Sequence, residues 1–146
     1  MPDAFIHQAV ANVPPPDAWT ALQHPSVWED IAGVEQITDA RHDRDGVLIG
    51  YRFVVKAGPS SVRGFAKTVE AIAPSRMRMS IESPEIVGEI TTLLERIETE
   101  RTLVTVSVEM RARGLLAQMF YPIVAQAVRT GLPAQVQAFA VKLGAG

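Results

Sequence analysis

The sequence predicts an α+β domain, a curved antiparallel sheet with two short helices and one long C-terminal helix. Three observations predict it. Seven short segments alternate apolar and polar residues with period two. The gaps between the last six of them are hairpin-sized. The segment from Leu115 to Gly146 carries only two charged side chains, Arg129 and Lys142, and repeats apolar residues at helical spacing. A helix with so little charge needs an apolar surface to lie against. In a chain of 146 residues, read as one domain over 1–146, the concave face of the sheet supplies it.

The elements follow in order. Residues 4–10, AFIHQAV, form the first strand candidate. Asn12-Val13-Pro14-Pro15-Pro16-Asp17 comes next, and proline is tolerated in a helix's first turn, so DAWTALQH opens a short helix. Pro25 ends that helix near Gln23 or His24. A second short helix covers Ser26 to Ile31, with Ser26 as N-cap, Glu29 at capping-box spacing and Gly33 as its stop. Val34–Arg41 and Val47–Ala57 flank HDRDG, whose Asp45-Gly46 is a turn signal. In the second of these strands Val47, Ile49, Tyr51, Phe53 and Val55 share the face expected to point inward. Gly58-Pro59-Ser60 then leads to Ser61–Ile72, and Ala73-Pro74-Ser75 leads to Arg76–Glu82. Ser83-Pro84-Glu85 leads to Ile86–Ile97, and Glu98–Arg101 to Thr102–Arg111. After Gly114, Leu116, Phe120, Ile123, Val124, Ala127 and Val128 recur at helical spacing, and Val136, Phe139, Ala140 and Leu143 continue the pattern. Pro133 removes a helical hydrogen bond beside Gly131, which predicts a kink there or a break into two helices.

Composition excludes several function classes. The formal net charge is −2 and no run of like charge occurs, which argues against nucleic acid as a partner. The absence of cysteine excludes disulfides and thiolate metal sites, and fits a cytoplasmic location. MPDAFIHQAV has no basic stretch followed by an apolar one, so no signal peptide is expected. Gln118, Gln126, Arg129, Gln135 and Gln137 interrupt the most apolar segment, so stable membrane insertion is not expected either. No phosphate-cradling glycine loop, nucleophile elbow or zinc-binding helix motif occurs, and neither a cofactor nor a metal is expected. His7, His24 and His42 are scattered, and the stretch Asp39–Asp45 around His42 reads as a solvated hairpin.

The order of strand, two short helices, six hairpin-linked strands and one long helix resembles the START-like superfamily, also called SRPBCC or polyketide cyclase/dehydrase-like. Local words agree. FIHQAVANVPPPDAWTALQHPSVW is similar to that family's opening strand, proline step and helix, here carrying Trp19 and Leu22. Asp30-Ile31-Ala32-Gly33-Val34 resembles its approach to the second strand, and Val69–Met77 resembles one of its proline-containing hairpins. The resemblance implies a helix-grip fold: seven antiparallel strands gripping the last helix, with an apolar cavity between. Fold of this kind does not name function, since the superfamily hosts lipid carriers, hormone and quinone binders, cyclases and hydrolases.

The candidate site residues follow from face and chemistry. Met77, Met79, Met110 and Met119 fall on expected inward faces or on the last helix, and methionine adapts to variable apolar ligands. Phe53 shares the inward face with Tyr51. Thr92 faces inward with Gly88, Ile90 and Leu94. A buried hydroxyl needs a partner, so those of Tyr51 and Thr92 can orient a ligand or can equally bond a neighbour or a buried water. Met119, Phe120 and Ile123 are expected on the cavity side of the last helix. Trp28 is a candidate gate at the cavity mouth, or core packing against the last helix. Glu70 is a weak catalytic candidate, a general base if it points inward; its strand, like that of Arg52, is ambiguous by face. Surplus apolar surface on the last helix, including Leu115, Leu132 and Val141, is open to burial by the broad sheet, to a homodimer interface or to a weak membrane contact, with the dimer preferred to the membrane and neither preferred to burial. The expected function is binding of a hydrophobic small molecule of lipid, polyketide, isoprenoid or quinone type. The alternatives are a polyketide cyclase or dehydratase using the same cavity, and an accessory subunit docking through the last helix.

Overall fold

The computed structural model describes residues 3–29, 34–57, 60–84 and 86–145. Strand β1 (Asp3–Ala11) leads to helix α1 (Pro15–Leu22) and a 3-10 turn at Pro25–Trp28. Six strands follow: β2 (Val34–His42), β3 (Leu48–Ala57), β4 (Ser60–Ile72), β5 (Arg76–Glu82), β6 (Ile86–Glu98) and β7 (Arg101–Ala112). Helix α2 (Leu115–Ala145) ends the chain. The seven strands form one antiparallel sheet in the order β1-β7-β6-β5-β4-β3-β2. Every neighbouring pair but one is a hairpin, as the short gaps predict. The exception closes the sheet on itself in sequence, because β1 pairs with the last strand, Phe5 opposite Val108 and Ala9 opposite Val104.

α2 packs mainly against β1 and more lightly against β7, β3, α1 and the 3-10 turn. Its buried stripe runs through Ala125, Val128, Leu132, Val136, Phe139, Ala140 and Leu143, a spacing of three and four that keeps one face toward the sheet. That stripe crosses the Gly131-Pro133 step. α2 is therefore one continuous helix rather than two, although Pro122 and Pro133 both lie inside it. Each proline leaves one carbonyl without its helical donor, at Gln118 and Arg129. Packing on both sides of the step outweighs that loss. Leu132, expected as surplus surface, belongs to the core, whereas Val141 is exposed.

The closed end of the molecule is built on α1 and the 3-10 turn. Trp28 is 1% exposed, its indole nitrogen donates to the Leu22 carbonyl at 2.8 Å, and its ring lies 5.1 Å from that of Phe139. The second short helix differs from expectation. His24 is its N-cap, Pro25 its first residue, and no side chain caps it, so Ser26 and Glu29 form no capping box. Glu29 is already extended, which ends the turn at Trp28. The expected continuation through Asp30 and Ile31 to Gly33 lies outside the described residues, as does the Gly58-Pro59 turn.

Gln23 ties this end to the β2–β3 hairpin. Its side-chain oxygen accepts from the Leu48 backbone at 2.9 Å, and its carbonyl meets His42 Nε2 at 2.7 Å. The β3 alternation departs from the expected odd-numbered set here. Leu48 is buried and Ile49 exposed, while Tyr51 and Phe53 point inward as expected. The pattern slips across Gly50, where an added Cβ would sit 2.9 Å from the Ala66 carbonyl oxygen. The partner strand β2 is irregular at the same level, with register shifts around Arg41 and a left-handed Asp39 at φ 52°.

Replacing Trp28 with Ala should cost about 3–5 kcal/mol of unfolding free energy, the usual toll for an emptied aromatic site. Trp28→Phe, which keeps the ring contact and loses the hydrogen bond, should cost less than half of that. Urea unfolding of the two variants measures both, and equal losses would show that the ring contact contributes nothing.

Candidate functional site

The concave face can be laid out in rows from the strand registers. Nearest the start of α2 lies Phe53 opposite Gly64. The next row is Tyr51, Ala66, Ile81, Gly88 and Met110. Below it come Thr68, Met79, Ile90, Val108 and Phe5, and below those Ala71, Met77, Thr92, Val106 and His7. Rows on one face of a sheet repeat about every 7 Å, and strands lie about 4.8 Å apart. Tyr51 and Thr92 therefore sit two rows and three strands apart, toward opposite ends of the face. They cannot grip one small group together, but both can touch an elongated molecule.

The structure brings five of the expected site residues onto this face. Tyr51, Phe53, Met79, Thr92 and Met110 are all buried. Met77 and Met79 are fully buried and adjacent in the rows, which gives the middle of the face a polarizable lining. Thr92 carries the anomaly. It is 0% exposed, and its hydroxyl oxygen has no hydrogen-bond partner among the described residues. Its cross-strand neighbours, Met77 and Val106, are apolar and offer it none. A hydroxyl buried in this way costs about 1–3 kcal/mol. At the other end, burial pushes the Tyr51 phenol well above its ordinary pKa, so Tyr51 is a neutral donor at any physiological pH.

Three expectations are corrected, and Trp28 takes one of its two alternatives. Met119 and Ile123 are 71% and 59% exposed, on the side of α2 opposite its buried stripe. At 100° per residue, the stripe from Ala125 to Leu143 fixes which way the earlier turns face, and it turns these two away from the sheet. Trp28 takes the core alternative rather than the gate: its N–H is spent on Leu22 and its ring on Phe139 of α2. Glu70 is on the convex face, opposite Arg78, whose neighbours Met77 and Met79 point the other way. Its carboxylate takes an ion pair from Arg76 at 2.6 Å. The β4 register shift between Thr68 and Glu70 is what made its face illegible. The side chain of Phe120 lies outside the described residues.

Two residues on or near this face were not foreseen. His7 alternates with the buried Phe5 and Ala9, which puts its half-buried ring on the concave side in the row of Thr92. The period-two pattern of AFIHQAV carried that signal. Tyr121 donates its hydroxyl to the Met110 carbonyl at 2.9 Å, pinning the first turns of α2 to β7. Arg129 lies over the Phe5 ring at 5.3 Å and ties the next turns to β1. Among the described residues, no three His, Asp or Glu side chains converge to hold a metal.

No family model matches the sequence, and no curated protein matches it. Solved structures do match in shape. The Zhui aromatase/cyclase from Streptomyces sp. R1128 is similar over 96% of this chain and 94% of its own, with a TM-score of 0.72 and 13% identity. A START superfamily protein from Mycobacterium smegmatis is similar over 91% and 96%, with a TM-score of 0.64 and 8% identity. The chain has the START-like fold. Norcoclaurine synthase from Thalictrum flavum shares it, with a TM-score of 0.62, 14% identity and coverage of 98% and 86%. A structure of that synthase was solved in complex with dopamine and hydroxybenzaldehyde. Within the START-like frame the seven strands and α2 stand where the helix-grip expectation puts them, and no helix among the described residues is long and apolar enough to cross a membrane.

Two substitutions test the geometry of the two hydroxyls. Thr92→Val keeps the shape and removes the orphaned oxygen, so the ligand-free protein should gain about 1 kcal/mol. A loss of that size in urea unfolding would mean the hydroxyl is satisfied. For Tyr51 the sign follows from a folded-state pKa above the unfolded one. Its neutral form is favoured by folding, so its contribution is complete below the ordinary tyrosine value of about 10 and shrinks as pH rises beyond it. Tyr51→Phe should therefore lose stability less steeply than the parent protein above about pH 10, in unfolding midpoints measured across that range.

Proposed function

We propose that this protein binds a hydrophobic small molecule on the concave face of its sheet, beneath the first half of α2, without chemically changing it. The observation that carries the reading is Thr92. A hydroxyl that is fully buried, without a partner among the described residues and surrounded by Met77, Ile90 and Val106 is a feature the fold alone does not need. It makes sense as half of a hydrogen bond whose other half arrives with a ligand. The surrounding apolar surface supplies the affinity, at roughly 25 cal/mol per Å² removed from water. Tyr51 supplies a second donor at the far end. The ligand is accordingly elongated and mainly apolar, with an oxygen or nitrogen near each end. Polyketide skeletons meet that description, and lipid, isoprenoid and quinone skeletons meet it where they carry a polar group at each end. The similar folds of an aromatase/cyclase and of norcoclaurine synthase support a small-molecule role.

A second reading, a cyclase or dehydratase acting in the same space, rests on His7. It is a titratable group on the concave face, in the row of Thr92 and two strands from it. Imidazole is the side chain best suited to move protons near neutral pH. Such an enzyme would convert a polyketide-like substrate with His7 intact and lose that conversion in His7→Phe, whereas a carrier would bind equally well with either residue.

Titration with an apolar fluorescent dye such as 1-anilinonaphthalene should show saturable binding at one site per chain. Native mass spectrometry of protein purified from its natural host should show a co-purifying apolar mass. The binding reading is abandoned if neither a ligand nor saturable dye binding is found.

A further inference from the structure

The sheet has an opening at one corner. β5 ends at Glu82, which pairs with Phe65, so the part of β4 before Phe65 has no β5 partner. A trough of about 560 Å³ lies there, against the β5–β6 turn at Ser83 and Pro84. Its walls come from both faces of the sheet. Phe53 and Gly64 belong to the concave side, while Arg52, which lies between the buried Tyr51 and Phe53, its cross-strand partners Thr38 and Phe65, and Arg63 two residues before Phe65 belong to the convex side. Gly64 keeps this passage low. A Cβ there would meet the Phe53 ring at 2.8 Å and the Glu82 carbonyl oxygen closer still, so only glycine lets the ring lie over the strand.

The charge of the trough is one-sided. Arg52, Arg63 and Arg113 line it, against one carboxylate among the described residues, Glu82. Arg52 makes a long, exposed ion pair with Asp39 at 3.5 Å. Arg63 and Arg113 make no ion pair with any described residue. This concentration of guanidinium groups stands out in a chain whose formal net charge is −2. Guanidinium presents a fork of donors that matches a carboxylate or phosphate. Thr38 adds a hydroxyl to the same wall.

We infer that the trough holds the anionic head group, a carboxylate or phosphate, of an amphiphile whose apolar part passes Phe53 onto the concave face. This inference rests on the binding reading above and narrows it to acidic ligands. The head group remains at the wet corner, where its charge keeps partial hydration and gains Arg63 and Arg113. The tail takes the dry path past Tyr51 and Met110 toward Met79 and Thr92.

The test compares dodecanoate with dodecanol, matched in chain length, and with acetate, which has the head group alone. Affinity is read by displacement of a bound apolar dye and, for acetate, by calorimetry. Dodecanoate should bind about tenfold or more tightly than dodecanol, the factor expected from one charge-assisted contact, and the gap should narrow with added salt. The double variant Arg63→Gln/Arg113→Gln should bring dodecanoate down to the affinity of dodecanol and leave dodecanol unchanged. The Lys/Lys double variant should retain most of the preference. Both side chains are exposed, so unchanged melting temperatures are expected and verify folding. Equal binding of acid and alcohol, unaltered in the Gln variant, overturns the head-group inference and leaves apolar binding intact. Acetate binding as tight as dodecanoate also overturns it, by separating the anion site from the apolar space. If neither long-chain compound displaces dye, the binding reading itself fails.

Discussion

The arrangement depends on the anchoring of α2 by its second half. Val128, Leu132, Val136, Phe139 and Leu143 form one stripe against β1 and the α1 end, and Phe139 packs at a tilt against Trp28. Gly144 approaches the backbone of Asn12 so closely that a Cβ there would sit 3.3 Å from its amide nitrogen. The first half is held more lightly, by the Tyr121 hydroxyl on β7 and the Arg129 guanidinium on Phe5. A seven-stranded sheet is wider than one helix. A helix fixed along β1 reaches β3 only lightly, so the burial of Tyr51 and Phe53 is not the work of the buried stripe of α2 alone.

Energetics run the same way along the rows. Beneath the second half of α2 the face is filled by ordinary core residues such as Leu94 and Val104. One row nearer the start of the helix, Thr92 places an unpaired hydroxyl where Val would pack as well. Beyond it the side chains become methionine and aromatic, shapes that yield to a guest. In the proposed reading, the passage from conventional core to polarizable lining, with a stranded polar atom between them, separates the part of the sheet that holds the fold from the part that takes a ligand.

Much of the fold was legible in the sequence because β alternation and hairpin turns are local. Met77, Met79 and Ile81 against Arg78, Ser80 and Glu82 assign both faces of β5 without tertiary knowledge. The misses fall where geometry is not local. The alternation in β3 slips at Gly50, and the β4 register shifts before Glu70, events set by the partner strand rather than by residue type. The outward turn of Met119 and Ile123 is set by the phase of a stripe beginning at Ala125. An almost uncharged helix gives little contrast from which to read that phase. Thr92 was visible as an inward polar residue, but that it lacks a partner emerges only once Met77 and Val106 flank it. The arginine trough was invisible, because Arg63 and Arg113 are fifty residues apart and meet only through the missing β5 partner of β4.

The most direct test of ligand binding on the concave face is a methyl spectrum of methionine-labelled protein during titration with an apolar amphiphile. The chain has five methionines, three of which line the buried face at Met77, Met79 and Met110, while Met119 is exposed on α2. The three buried methyls should shift together and saturate, with Met119 unmoved. Movement of Met119 with Met77, Met79 and Met110 unchanged would place the ligand on the outer surface of α2 and contradict the account.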